Sequence, residues 1–251
     1  MQDLKGNMPT MSSISSTIPP GNDPPASPPS ARTQVRRIPE FARYDTATVH
    51  AIVDAALICH IAFAGPDGVH SIPTGCWRQA DHLYIHGSNG SRMLKALQSG
   101  AAVAVNITLL DGLVLARSAF NHAINYRSVV IYGSFAVVPE AEKPAALAAF
   151  LERILPGRQA TIRPGDANEL AATTVLRISL HEAAAKVRQG PPEDKAEDMT
   201  WPVWAGELPL RLAPLAAVPD PACELAPPLH VTAWTSRRLD APGFPEDAAG
   251  D

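Results

Sequence analysis

Between Val69 and Gly87 the chain reads VHSIPTGCW, then RQAD, then HLYIHG: two extended runs with only four residues between them. A link that short cannot carry the crossover a parallel pair needs, which takes about a dozen residues or more, so the two runs must lie antiparallel. This one hairpin sets parallel βαβ architectures aside. The remaining runs agree with it. Residues 47–63, ATVHAIVDAALICHIAF, set Val49, Ile52, Val53 and Ala56 on one helical face and then become continuously apolar, which predicts a helix feeding a buried strand. GPDG at 65–68 is a turn signal. AAVAVNITLL (101–110) and YRSVVIYGSFAVV (126–138) read as strands, the second interrupted by Gly133 at an expected bulge or bend. TTVLRISLHEAAAKV (173–187) reads as one further strand. Two further helices are expected, SRMLKALQS closed by Gly100, and EAEKPAALAAFLERIL with Pro144 in its first turns. The fold class is mainly β with peripheral helices (α+β), a small barrel with helices appended.

The domain limits follow from composition. Residues 1–31 are rich in Pro and Ser and bury too little apolar surface to order themselves, so a disordered tail is expected there. Residues 32–210 form the folded domain, and 211–251 a Pro-rich C-terminal extension in which LHVTAW reads as a strand or docking segment. With 46% hydrophobic and 18% charged residues the chain can build a core. A net charge of −4 provides no uniformly basic face, so nucleic acid is not an expected partner. Cys59, Cys76 and Cys223 make an odd set with no CxxC pair, which fits a reducing, cytoplasmic compartment. No apolar run approaches the ~20 residues of a membrane span, and the N-terminus has no apolar core of a signal peptide.

The run DHLYIHGSNGSRMLKAL changes from strand alternation to helical spacing across small polar residues. A helix start exposes unpaired backbone N–H groups and partial positive charge. Ser88, Asn89 and Ser91 can cap or donate there, Arg92 offers a planar fork, and Lys95 lies one turn beyond Ser91. Such a junction suits a phosphate. It equally describes a capped helix with two solvated basic residues, and it matches neither a Walker loop nor a GxGxxG fingerprint.

IPTGCWRQADHLYIHGSNGSRMLKAL, followed by DGLVLARSAFNHAINYRSVVIYG, resembles the pyridoxamine 5'-phosphate oxidase-related flavoproteins, and most closely the branch of the nitroimidazole-resistance (Nim-type) proteins. The resemblance spans about Arg36 to Leu210 and includes PGR and PVWAGELPL. It implies a split β-barrel binding FMN at the interface of a homodimer. It implies that Ser91 and Arg92, with Ser88 and Lys95 beside them, hold the flavin phosphate, although Met93 stands where the oxidases proper carry a lysine. It implies further that Ile72, Pro73 and Thr74 border the flavin ring, that Arg127 and Ser128 reach FMN, and that His86 lies by the ring as the candidate catalytic residue. The implied activity is an FMN-dependent oxidoreductase passing electrons to a small acceptor, nitroaromatic or quinone-like. A flavin carrier without turnover, a haem-binding split barrel and a deazaflavin protein are the alternatives. Oxidation of pyridoxamine phosphate itself needs a second phosphate site and an arginine-histidine motif that RLAPLAAV (211–218) matches only in its arginine.

Other residues carry weaker signals. His60, His70 and His82 have no cysteine or carboxylate at ligand spacing, so no metal site is expected. His122 reads as a loop residue or a site-lining one, and Trp204 as a packing aromatic or a cover reaching a partner subunit. Asp111 reads as a turn residue, and Lys186 and Arg188 as a solvated strand end. No Ser-His-Asp arrangement is present to suggest nucleophilic catalysis, which flavin chemistry does not require.

Overall fold

The structure is a computed structural model, described here for residues 27–236. Its elements are β1 (Ala42–Arg43), α1 (Thr46–Ala55), β2 (Ile58–Gly65), β3 (Gly68–Gly75), β4 (Trp77–Gln79), β5 (His82–Ser88), α2 (Arg92–Gln98), β6 (Val103–Leu115), β7 (Ala123–Gly133), β8 (Ala136–Val137), α3 (Lys143–Ile154), α4 (Ala167–Ala171), β9 (Thr173–Ser179), β10 (Ala183–Arg188), β11 (Gly206–Pro209) and α5 (Leu229–Thr232). Two antiparallel sheets result: a seven-stranded one ordered β1-β10-β7-β6-β2-β3, with β11 added on β6, and a four-stranded one ordered β4-β5-β9-β8. This is a split barrel, and the main core lies between the sheets, around Ile61, Leu83, Ile85, Val105, Ile107, Val129, Ile131 and Ile178. A second cluster of Trp77, Tyr84, Val138, Ala146 and Val175 fills the space between the smaller sheet and α3.

The helix-then-strand reading of residues 47–63 matches α1 and β2. Asp45 caps α1 by accepting the Thr48 N–H at 2.7 Å, and the helix buries Val49, Ile52 and Val53. Two runs read as single strands are each divided between the sheets. VHSIPTGCW breaks at Cys76, whose N–H turns to the Leu57 carbonyl at 3.1 Å, so Trp77 opens β4 in the smaller sheet. TTVLRISLHEAAAKV breaks at Leu180–Glu182, where the Leu180 N–H bonds to the Asp81 carbonyl at 2.9 Å. At the first corner the chain stays apolar, with Cys76 buried, so period-2 reading alone has no signal for the change of sheet; at the second it turns through His181 and Glu182 after the buried Leu180. Pro73 is tolerated because β3 is an edge strand.

Other readings change as well. LHVTAW is helical, as α5 followed by a 3-10 turn, and not a strand. Asp111 is no hairpin turn: β6 runs on to Leu115, and Asp111 is the extra residue of a bulge where register with β7 shifts between Leu110 and Gly112. Gly112 is required there because a Cβ would sit 2.9 Å from the Leu208 carbonyl oxygen of β11. Most of the tail 1–31 lies outside the described residues. Within 27–31, Ser30 already accepts the buried Thr33 hydroxyl at 2.8 Å. No described helix is long and apolar enough to cross a membrane, and no group of His, Cys, Asp and Glu suited to a metal ion occurs among the described residues.

Candidate functional site

The open edge of β3 lies beside β5, and α2 starts just past the end of β5. Cross-strand register sets the side chains of β3. Ile72 and Thr74 lie opposite Ile61 and Cys59, so both face the barrel interior, whereas Pro73 lies opposite His60 and points outward. Ile72 packs against the main core. What β3 offers the cleft beside β5 is thus its unpaired edge backbone.

At the β5–α2 junction the polar groups divide their work. Ser91 caps α2, its Oγ accepting the Leu94 N–H at 3.4 Å, and Ser88 Oγ accepts the Gly90 N–H at 3.2 Å. Asn89 is committed to the fold: its Nδ2 donates to the Ala171 carbonyl at 2.7 Å and its Oδ1 accepts the Thr174 hydroxyl at 2.6 Å. Arg92 is not so committed. Its side chain is 70% exposed and, among the described residues, pairs with Asp67 in the β2–β3 turn at 3.8 Å, a surface pair worth little in water. Lys95 lies elsewhere, in a groove of about 420 Å³ with Asn89, Gln98, Glu140 and Lys143. The structure therefore places Ser88, Ser91 and Arg92 at the β5–α2 junction, with Arg92 toward the β2–β3 turn, and Lys95 one turn on in a groove that it shares with Asn89.

His86 faces away from the barrel core, on the side of β5 that α3 covers. Its ring stands 4.5 Å from Phe150 and 5.7 Å from Trp77, centroid to centroid, and its Nδ1 is buried without a partner. Burial lowers its pKa below the ordinary 6.5, because imidazolium loses water there and gains no anion. Phe150 in turn approaches β3, where a Cβ on Gly75 would lie 3.7 Å from its ring. Trp77, Phe150 and His86 form an aromatic wall behind the end of β3 that the alternating pattern of β5 did not reveal, since α3 supplies one member from 64 positions after His86.

The depressed His86 pKa has a consequence for stability. As pH falls through about 6.5 the unfolded chain takes up a proton that the folded chain refuses, so stability is complete above that pH and is lost below it. His86→Phe removes this term and an unpartnered nitrogen together. The variant is expected to unfold at a somewhat higher urea concentration than wild type near pH 8 and to exceed it by a wider margin at pH 5. His50, whose pKa burial and then Arg78 also lower, retains part of the acid-side loss. An unchanged pH slope in His86→Phe would refute the assignment.

Arg127 and Ser128 are consecutive in β7 and therefore point to opposite faces. Arg127 shares the interior face with Val129 and Ile131, and its guanidinium grips Asp111 through two bonds, Nε to Oδ2 at 2.9 Å and Nη2 to Oδ1 at 2.7 Å. Ser128 faces outward, opposite Lys186 and Thr108. Arg188, expected at a solvated strand end, is buried and donates to Asn125 and to the carbonyls of Gly190 and Pro191. The Arg127–Asp111 pair had no local sequence signal, because the bulge that aims Asp111 exists only once β11 lies against β6.

Donor chemistry at the β5–α2 junction fits a phosphate monoester: two hydroxyls and a guanidinium held only by an exposed pair with Asp67. The unpaired edge of β3 fits the rim of a flat heterocycle that alternates hydrogen-bond donors and acceptors.

Comparison with known proteins agrees with this geometry. A family model described as pyridoxamine 5'-phosphate oxidase matches residues 45–187. The flavocytochrome Anf3 of Azotobacter vinelandii is 40% identical, over 84% of this chain and 99% of its own, with a TM-score of 0.79. A FAD and haem binding protein of Mycobacterium smegmatis is 33% identical, over 78% of this chain and 97% of its own, with a TM-score of 0.75. A protein described as a 5-nitroimidazole antibiotic resistance protein, from Bacteroides thetaiotaomicron, is 17% identical over 58% of this chain and 86% of its own, with a TM-score of 0.50, and shares the fold alone. No curated protein matches.

Proposed function

Because the chain belongs to the pyridoxamine 5'-phosphate oxidase family, we propose that it is a flavin-binding redox protein that also carries haem. The observation behind the proposal is the meeting of the β3 edge with Ser88, Ser91 and Arg92, in a chain whose relatives at 40% and 33% identity are a flavocytochrome and a FAD and haem binding protein. Ser91 and Arg92 hold the flavin phosphate, with Ser88 beside them, and the backbone of Ile72, Pro73 and Thr74 borders the ring. Bound flavin and haem supply the electron chemistry; the protein binds, orients and shields them. FMN, the flavin expected from sequence, and FAD share this phosphate. The Mycobacterium relative, a FAD and haem binding protein, favours FAD. A nitroaromatic or quinone-like acceptor has fold-level support only, from a protein 17% identical, so haem replaces it here as the redox partner.

A homodimer belongs to the same proposal. The outer face of the larger sheet leaves Ile58 56%, Val69 83% and Leu110 50% exposed, and the stretch after β11 leaves Leu212 67% and Leu215 79% exposed. Apolar surface of this extent calls for a partner, and a second copy of the chain is the one the family offers. Sedimentation of the purified protein at twice the chain mass is the expected result. The cytoplasmic location expected from the free cysteines stands with this proposal.

The first experiment is an absorbance spectrum of the purified protein before and after adding FMN or FAD, with chromatography of the heat-released flavin to identify it. Charge-assisted hydrogen bonds contribute about 1.5–3 kcal/mol each, so the Ser91→Ala/Arg92→Ala variant is expected to bind flavin about 10–100-fold more weakly. Absence of flavin bands from wild type with excess FMN and FAD would end the proposal.

A further inference from the structure

We propose that a cavity at the β9–β10 corner binds a small organic ammonium ion, with Asp81 as its counter-charge. The cavity measures about 350 Å³ and lies among four parts of the chain: the segment before β1, the start of α1, the β4–β5 turn and the corner between β9 and β10. That volume is at the small end of the range for ligand pockets. None of its lining residues belongs to β3 or to the β5–α2 junction, so it stands outside the proposed flavin site.

Local structure sets the polar groups. Only Ala80 and Asp81 join β4 to β5, and Ala80 takes a left-handed φ of +46°, a conformation that costs a residue with a Cβ and that recurs at binding sites. Arg78 donates to the Ala80 carbonyl at 2.8 Å, and the Asp81 carbonyl accepts the Leu180 N–H at 2.9 Å. The turn is thereby fixed, with the half-exposed Asp81 carboxylate at the cavity. His50 comes from the second turn of α1. Its Nε2 lies 3.2 Å from Asp81 Oδ1 but out of line for a hydrogen bond, and among the described residues this buried atom has no hydrogen-bond partner. A buried nitrogen in that state costs stability unless something else bonds it. Burial first, and then Arg78, hold the His50 pKa below the ordinary 6.5, so the ring is neutral near neutral pH and does not repel a cation.

These groups select the ligand. Asp81 supplies negative charge, and Tyr44 supplies an aromatic ring whose hydroxyl is held by the Val35 N–H at 2.8 Å. Among the described residues that line the cavity there is no lysine or arginine. Arg78 and Arg32, close in sequence to the lining, are already paired with Asp54 and Glu182. Val49, Leu180 and Ala183 are buried and make an apolar wall. A metal ion also suits a carboxylate beside imidazoles, but Asp81, His50 and His181 do not form a group that could hold one. The cation that reaches such separated partners is an organic one. Its N–H groups donate to Asp81 and, with the imidazole proton on Nδ1, to His50 Nε2. Its carbon body lies on the apolar wall, and the Tyr44 ring attracts its charge.

The test is calorimetric titration of the full chain near neutral pH with benzylamine, benzyl alcohol and benzoate, similar shapes that carry a positive charge, none and a negative one. Wild type is expected to bind benzylamine saturably and the other two at least about tenfold more weakly. Asp81→Asn keeps the backbone bond to Leu180 and removes the charge. It is expected to bind benzylamine about tenfold or more weakly and benzyl alcohol as wild type does, with circular dichroism to confirm folding. Excess FMN is expected to leave the benzylamine affinity unchanged. No saturable binding of benzylamine, an equal affinity for benzoate, or equal benzylamine affinities in wild type and folded Asp81→Asn overturns the proposal. Competition with FMN would place the amine at the flavin site and overturns it as well. The charge series decides the matter on wild type alone if Asp81→Asn does not fold.

Discussion

Asp111→Ala is expected to lower the stability of the flavin-free protein by about 3 kcal/mol, the lower end of the range for removing one partner of a buried ion pair. For a domain of this size that corresponds to a Tm drop of about 6–12 °C. The side chains of Arg127 and Asp111 are only 11% and 19% exposed and meet in a two-pronged contact. Without the carboxylate, the Arg127 guanidinium keeps its desolvation cost and loses its counter-charge. The bulge adds to the effect, since the Asp111 carbonyl also accepts the Leu210 N–H at 2.9 Å and so joins β6 to the chain beyond β11. The backbone bond survives in the alanine variant; the ion pair does not. Replacing both residues with apolar ones of similar volume, Asp111→Leu with Arg127→Met, is expected to recover most of the loss. Urea melts of wild type, Asp111→Ala and the double variant decide it: a single variant within 1 kcal/mol of wild type would show that the pair contributes nothing.

Trp77→Ala is expected to cost about 3–5 kcal/mol, the range for emptying a large buried aromatic site. Trp77 is 1% exposed and stacks with Tyr84 at 5.6 Å, Phe150 at 5.0 Å and, edge-on, His86 at 5.7 Å. It joins β4 to β5 and α3, so its loss leaves a cavity that none of the three can fill without moving. Trp77→Phe is expected to cost less than half as much: it keeps most of the ring contact and removes an indole N–H that has no partner. Loss of near-ultraviolet dichroism in Trp77→Ala with far-ultraviolet dichroism retained is the accompanying sign that α3 has loosened. Equal melts for the alanine and phenylalanine variants would show that volume at this position does not matter.

These two expectations differ in how early the chain announced them. Trp77 stands next to a strand pattern that any reading marks as apolar. The Asp111–Arg127 pair is invisible in that reading, since DG in a chain looks like a turn and an arginine in a strand looks like a ligand contact.

The elements themselves were legible because hydrophobic period and turn chemistry are local. The short run RQAD made β4 and β5 antiparallel, with Arg78 and Gln79 still in β4 and only Ala80 and Asp81 between the strands; Ser91 marked the start of α2, and Gly100, with φ of +84°, marked its end. The motif around Ser88–Arg92 was legible for the same reason, as was the resemblance that pointed to a flavin. What tertiary structure decided is everything that depends on a second element arriving. Cys76 and Leu180 became corners because the opposite sheet was there to receive the chain. Lys95 came to share a groove with Asn89 and with Lys143 of α3. Arg127 was drawn into the barrel by a carboxylate that a bulge had aimed, while Ser128, one residue on, was left outside. Asp194, 77 positions after Arg117, fixed the loop between β6 and β7 through the Arg117 N–H and guanidinium. Local pattern determines which way each residue faces along its own element; only packing determines what it faces.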